Sequence, residues 1–346
     1  MRWHVLTILL AAAAATAPER AWAGSLNWKQ ILKKEDDWFK SDAGRKALAN
    51  ILSHQTAAGA WPKNIDTTAR PHEDSGRKRT GTFDNGATVG EMRLLSRAYR
   101  ATGRKPYLRA LNRAIDHVLE AQYPNGGWPQ RHPPPKQGYP RHITFNDDAM
   151  VNLMHMVRDL SESKDFVFVD QPRRDAAKKA FDRGIRCILA AQIRVDGRRT
   201  AWCAQHDEQT LEPRQGRAYE HPSISGSESV PIVRLLMGLD RPSAEVIAAV
   251  EAACRYLDRV RIEGIRIQKE NGDKKVVPDP DAEDLWTRFY QIKTNRPIFS
   301  GRDGVIRYKL SDIEPERRNG YGWYTTRPAR LLNRDWPAWR KRIGKK

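Results

Sequence analysis

A short pattern recurs along this chain and constrains its fold more than any other feature. SHQTAAGAWPKN (53–64) and AQYPNGGWPQR (121–131) each put a Gln at the end of a helical stretch, then Gly, then Trp-Pro. A looser third copy has Gln192, Gly197 and Trp202. The Gln spacings are 67 residues (55 to 122) and 70 residues (122 to 192). That period holds two helices and their loops. Apolar residues recur at helical spacing inside each unit: Val89, Met92, Leu95 and Tyr99; Leu108, Leu111, Ile115 and Val118; Met150, Leu153, Met154, Val157 and Leu160. Further helices are read over about 173–192 and 244–260.

Helix pairs repeated in this way stack side by side, because one pair alone cannot cover its apolar face. The expected fold is mainly α, a toroid of three helix pairs with inner and outer rows; the period alone leaves an open solenoid as the alternative. Gly in each loop permits a sharp turn after the outer helix. Trp61, Trp128 and Trp202 are read first as buried seams between helices and second as sugar-stacking platforms. Residues 262–332 hold short alternating stretches (IRIQ, FYQI, VIRYKL) and are read as a small irregular and β cap over one face.

The first 23 residues have a short basic start at Arg2, an apolar run over 5–15, and small residues at Ala21 and Ala23. This is a secretory signal pattern, with cleavage expected before Gly24 and a secreted or periplasmic product. The apolar run is too short to span a membrane. Residues 24–346 are expected to form one domain. Three cysteines (Cys187, Cys203, Cys254) do not make a disulfide framework, and no Cys/His spacing points to zinc. The formal charge is +19. A field of that sign attracts polyanions, such as acidic polysaccharide, a membrane surface or nucleic acid.

A polar cluster precedes the inner helix of each unit: Asp84 and Asn85; Asn146, Asp147 and Asp148; Ser225, Ser227 and Glu228. Singly, these are ordinary helix caps. Stacked in a ring, they gather at one end, where converging carboxylates suit a hard cation such as Ca²⁺. Arg214, Arg217, Arg288, Arg296 and Arg302 follow, and guanidinium forks pair with carboxylates. His206 is the best ordinary base by residue type, with Asp207 to orient it; its blander reading is a hydrogen bond inside a loop.

TFDNGAT, NGGWPQRHP, ITFNDDAM, AWCAQHDEQTLEP, GRAYEHPSISGSES and WTRFY, followed by SGRDG and GYGWY, resemble the family 10 polysaccharide lyases. The resemblance covers most of the chain and is specific, because the motifs are long and in order. It implies an (α/α)₃ toroid and a pectate lyase that performs Ca²⁺-dependent β-elimination on polygalacturonate. It implies Arg217 as the base, which is unusual chemistry for a group with a pKa above about 12. It carries Asp84 onto a catalytic and metal-binding position and Asn85, Arg288 and Arg302 onto substrate-binding positions, with Tyr321 a further substrate-side residue. The acidic metal residue of the NDD motif falls on Asp147, with Asp148 as the alternative. Two other readings stand beside it. One is an inverting glycoside hydrolase, which needs two opposed carboxylates; the other is a non-catalytic polyanion binder.

Overall fold

The computed structural model describes residues 28–73 and 80–344. The expected signal segment lies outside the described residues. Seven main helices follow the repeat: α1 (Asp42–His54), α2 (Val89–Thr102), α3 (Lys105–Glu120), α4 (Ala149–Glu162), α5 (Gln171–Ala191), α6 (Ser229–Met237) and α7 (Ala244–Arg259). The rows are those expected for an (α/α) toroid. Helices α2, α4 and α6 neighbour one another on the inside, and α3, α5 and α7 on the outside. The sequence explains the sorting. Helix α3 buries one stripe (Tyr107, Leu111, Ile115, Val118), as a surface helix does. Helix α6 buries nearly every residue, as an enclosed helix does.

The repeated Gln and Trp are the stitches. Gln55 Nε2 donates to Gly59 O at 2.9 Å and Ala110 O at 2.8 Å. Gln122 does the same to Gly126 O and Ala180 O, both at 2.9 Å. Gln192 donates to Thr200 O at 2.9 Å and Ala249 O at 3.0 Å. Each amide therefore closes its own loop and grips the next outer helix. Trp61, Trp128 and Trp202 are fully buried, and each indole donates back to the preceding outer helix: to Ile51 O at 2.7 Å, Val118 O at 2.8 Å and Ile188 O at 2.7 Å. Their role is structural, and the sugar-stacking alternative is overturned. Trp286 obeys the same rule, donating to Leu257 O at 2.7 Å. The C-terminal segment thus contains a further copy of the loop, with a longer hairpin at Ile265–Glu270 and Asp273–Pro278 ahead of its Trp and a cap of short two-stranded pairs around it. The three cysteines are buried and unbridged.

Candidate active site

The polar clusters sit where the inner helices begin, and neighbouring units align them. Phe83 N donates to Gln130 O at 2.8 Å, Asn146 N to Ala204 O at 2.9 Å, and Gly226 N to Arg288 O at 3.1 Å. In each case the acceptor stands two residues after the next unit's Trp. The clusters are therefore laid side by side at one end of the ring.

They are not caps. The outer helices α1, α5 and α7 have conventional N-caps, in which Ser41, Asp170 and Ser243 accept from Gly44 N, Arg173 N and Val246 N. At α2, α4 and α6 the N-cap side chains make no such bond. The backbone there is strained: Asn85, Thr88, Asp147 and Asp148 have φ of 53°, 69°, 51° and 62°. Non-glycine residues in this region cost energy, and such strain collects at functional sites.

Cations from elsewhere face these carboxylates. Lys63 pairs with Asp84. Arg288 Nη2 contacts Glu228, Asn146 Oδ1 at 2.9 Å and Asp147 Oδ1 at 3.4 Å. Arg327 Nη2 holds Asp148, at 2.8 Å from Oδ2. Asp84 is buried, and its Oδ1 has no hydrogen-bond partner. Burial raises its pKa; Lys63 opposes the shift and the Asp147 charge adds to it. Arg288 is half-buried, with its side chain 12% exposed. Burial alone would discharge it, but the Glu228 carboxylate beside it reverses that and raises its pKa.

Arg217 lies beyond Tyr321. The Tyr321 ring has the Arg288 guanidinium 4.9 Å from its centroid and that of Arg217 at 5.4 Å. Arg217 Nη2 donates to Glu220 Oε1 at 2.6 Å. Burial works to lower its pKa, but the Glu220 bond and charge overcome this and raise it. Beside Glu220, Arg217 is therefore a charged group. Tyr321 is itself buried, with its hydroxyl committed to Glu220 Oε1 at 2.6 Å, so it separates the two arginines instead of offering an open sugar surface. Arg302 sits on the turn after Phe299–Ser300, paired with Glu316 at 3.0 Å. That turn packs near the Arg217 loop, since a Cβ on Gly304 would lie 3.4 Å from Ala218 O. Asn85 is more exposed and reaches Asn64 Oδ1 at 3.1 Å.

Several expectations are corrected. His206 is fully buried, bonding Leu211 O at 2.8 Å and accepting from Cys203 N at 3.0 Å. Burial drives its pKa down to about 4. It is a loop brace and not a base. Asp207 does not orient it; that carboxylate accepts from Gln209 N and Thr210 N and pairs with Arg214. Arg296 lies over the Tyr308 ring, 3.7 Å from its centroid. Sequence reasoning missed Lys63, Glu220 and Arg327, and it did not connect Glu228 with Arg288. One signal was available: Lys63 and Arg288 both stand two residues after a loop Trp.

The residues present fit a hard divalent cation. The unpartnered Asp84 Oδ1 and the nearby Asp147 carboxylate are oxygen donors whose charges disfavour each other until a cation is added. Asp148 is turned to Arg327. Elsewhere His142, Asp207 and Glu208 bring three ligand atoms within 4.8 Å, but His142 bonds Glu208 and Asp207 accepts from Arg214, so each already has a protein partner.

Fold and site together define a helical toroid enzyme whose inner-helix ends set carboxylates against cations, a surface made for an anionic chain. A family model described as pectic acid lyase matches residues 55–332, and the chain belongs to that family and is a pectate lyase. Its fold is similar to that of the family 10 polysaccharide lyase from Cellvibrio cellulosa, with TM-score 0.78 and 32% identity over 93% of this chain and 98% of that one. A mutant of that lyase, in complex with trigalacturonic acid, gives TM-score 0.79 and 33% identity over 90% and 96% of the two chains. A comparison with curated proteins finds no match.

Proposed function

We propose that this protein cleaves polygalacturonate by Ca²⁺-dependent β-elimination, releasing unsaturated oligogalacturonates. The observation that carries this is the buried Asp84 carboxylate, half unpartnered, beside Asp147, which Arg288 contacts. Asp84 and Asp147 would hold the ion. When bound, Ca²⁺ supplies positive charge that neutralises a uronate carboxylate and makes the adjacent C5 proton more acidic. Arg288 and Arg302 bind carboxylates of the chain, and Asn85 is placed to meet a hydroxyl. Arg217 in its neutral form takes the C5 proton, the bond from C4 to O4 breaks, O4 leaves on the departing sugar and takes a proton from water, and a C4–C5 double bond forms in conjugation with the carboxylate.

Arg217 can take this role only if it leaves Glu220. Two features make that affordable. Its side chain is 41% exposed, so it can reach a bound chain. Glu220 keeps two other donors, the Tyr321 hydroxyl at 2.6 Å and Arg217 N at 2.8 Å. The same residues would serve a hydrolase differently, with Asp84 and Asp147 as acid and base. Mass spectrometry of the products separates the two: elimination gives oligomers lacking one water relative to hydrolysis products. We also propose export by residues 1–23, which N-terminal sequencing starting at Gly24 would bear out and an intact Met1 in the secreted protein would exclude.

A further inference from the structure

We propose that a second uronate-binding site lies behind Tyr321, in a cavity built around Lys274. It rests on the reading of an anionic glycan ligand and adds a subsite to it. The cavity has a volume of about 380 Å³, and Ile267, Lys274, Tyr321, Trp323, Tyr324 and Thr326 are among its walls. Aromatic walls with one cation form a surface suited to a sugar ring bearing a carboxylate.

The cation is unspent. Lys274 Nζ donates to Tyr321 O at 3.1 Å and has no ion-pair carboxylate among the described residues. An ammonium has three donors, so two remain. Across the hairpin its register partner is Lys269, also without a carboxylate partner among the described residues. Like charges directly opposite in a sheet are destabilising, and a bound anion relieves that cost. Other charged groups on this hairpin are matched: Lys275 pairs with Glu270 at 2.8 Å, Arg266 with Asp279 at 3.0 Å, and Asp273 with Arg318. Burial, and then the Lys269 charge, lower the Lys274 pKa, as expected for a cation lacking its counter-ion.

The position links the cavity to the main site. Tyr321 is shared: its ring lies under Arg288, while its carbonyl holds Lys274. Thr326, on the cavity wall, precedes Arg327, which holds Asp148. A chain lying along the inner-helix ends can therefore place a further uronate at Lys274. Since neither Arg217 nor Asp84 lines the cavity, it affects how tightly a chain is held and leaves the bond-breaking step alone.

The test uses the full protein with Lys274→Met, Lys274→Arg and the control Lys275→Met. Affinity electrophoresis in gels containing polygalacturonate reads binding without requiring turnover. Losing a charge-assisted bond predicts about tenfold weaker binding for Lys274→Met. Lys274→Arg should stay within about threefold, and Lys275→Met should match the wild type. The kcat of Lys274→Met should be unchanged while its KM rises. Equal retardation of Lys274→Met and wild type overturns the proposal, as does an equal loss in Lys275→Met. If the wild type yields no unsaturated product yet Lys274→Met still loses retardation, the lyase reading fails and the cavity stands.

Discussion

Arg217 Nη2 and the Tyr321 hydroxyl meet on a single oxygen, Glu220 Oε1, each at 2.6 Å. The carboxylate thus holds in its charged form the very group proposed as the base. Neutralising Glu220 removes that hold and lowers the Arg217 pKa. If Arg217 acts only when neutral, activity rises with pH, and Glu220→Gln moves that rise to lower pH. A pH–rate profile of the variant checks this, and an unmoved rise would clear Glu220 of any control. Arg217→Ala should cost about 10²- to 10⁴-fold in kcat, the usual range for a lost general base, with the fold intact by circular dichroism.

Asp84 trades stability for function. Its pKa is raised, so the folded state disfavours the ionised form. The stability cost is absent below the unfolded carboxyl pKa and fully present once pH passes the folded value. Asp84→Asn removes it. The variant should melt at the same or a higher temperature than wild type at neutral pH, while losing its response to added Ca²⁺. Calorimetry paired with a Ca²⁺ titration reads both, and a full Ca²⁺ response would strike Asp84 from the ligand set.

Glu91 makes a cleaner stability probe, because it has no part in the proposed chemistry. It is buried, accepts from Thr67 Oγ1 at 3.0 Å, and has an unpartnered Oε2. Burial raises its pKa to about 7. Its ionisation therefore destabilises the fold as pH climbs from its unfolded value to about 7, by on the order of 3 kcal/mol. Glu91→Gln should raise the melting temperature at pH above about 7 and leave it nearly unchanged near pH 4. Parallel melts at the two pH values decide it.

Gln122 tests the stitching of the ring. Replacing it by Ala strands the carbonyls of Gly126 and Ala180. An unmade buried hydrogen bond costs about 1–3 kcal/mol, so the loss should be on the order of 3 kcal/mol. Urea unfolding gives the number. A loss under about 0.5 kcal/mol, the size of a neutral surface change, would mean the loop holds itself.

Much of this was legible in the chain. The Gln and Trp repeat announces helix pairs because identical stitches need identical residues at a fixed period, and each Gln makes the same two bonds where the period puts it. The polar clusters were legible for the same reason. Their partners were not. Glu228 and Arg288 are 60 residues apart, and Asp148 and Arg327 are 179 apart. Nothing local marks such pairs, since ring closure alone brings them together. His206 misled because residue type carries no information about burial. Trp286 was hidden by the longer hairpin inserted ahead of it, which broke the period.

The most direct measurement is ultraviolet absorbance of polygalacturonate incubated with the protein, with added Ca²⁺ and with chelator. A conjugated C4–C5 double bond absorbs, and a saturated product does not. Absorbance should rise with Ca²⁺ and stay flat with chelator. A flat trace in both, with new reducing ends still appearing, would contradict β-elimination and make Asp84 and Asp147 the acid and base of a hydrolase.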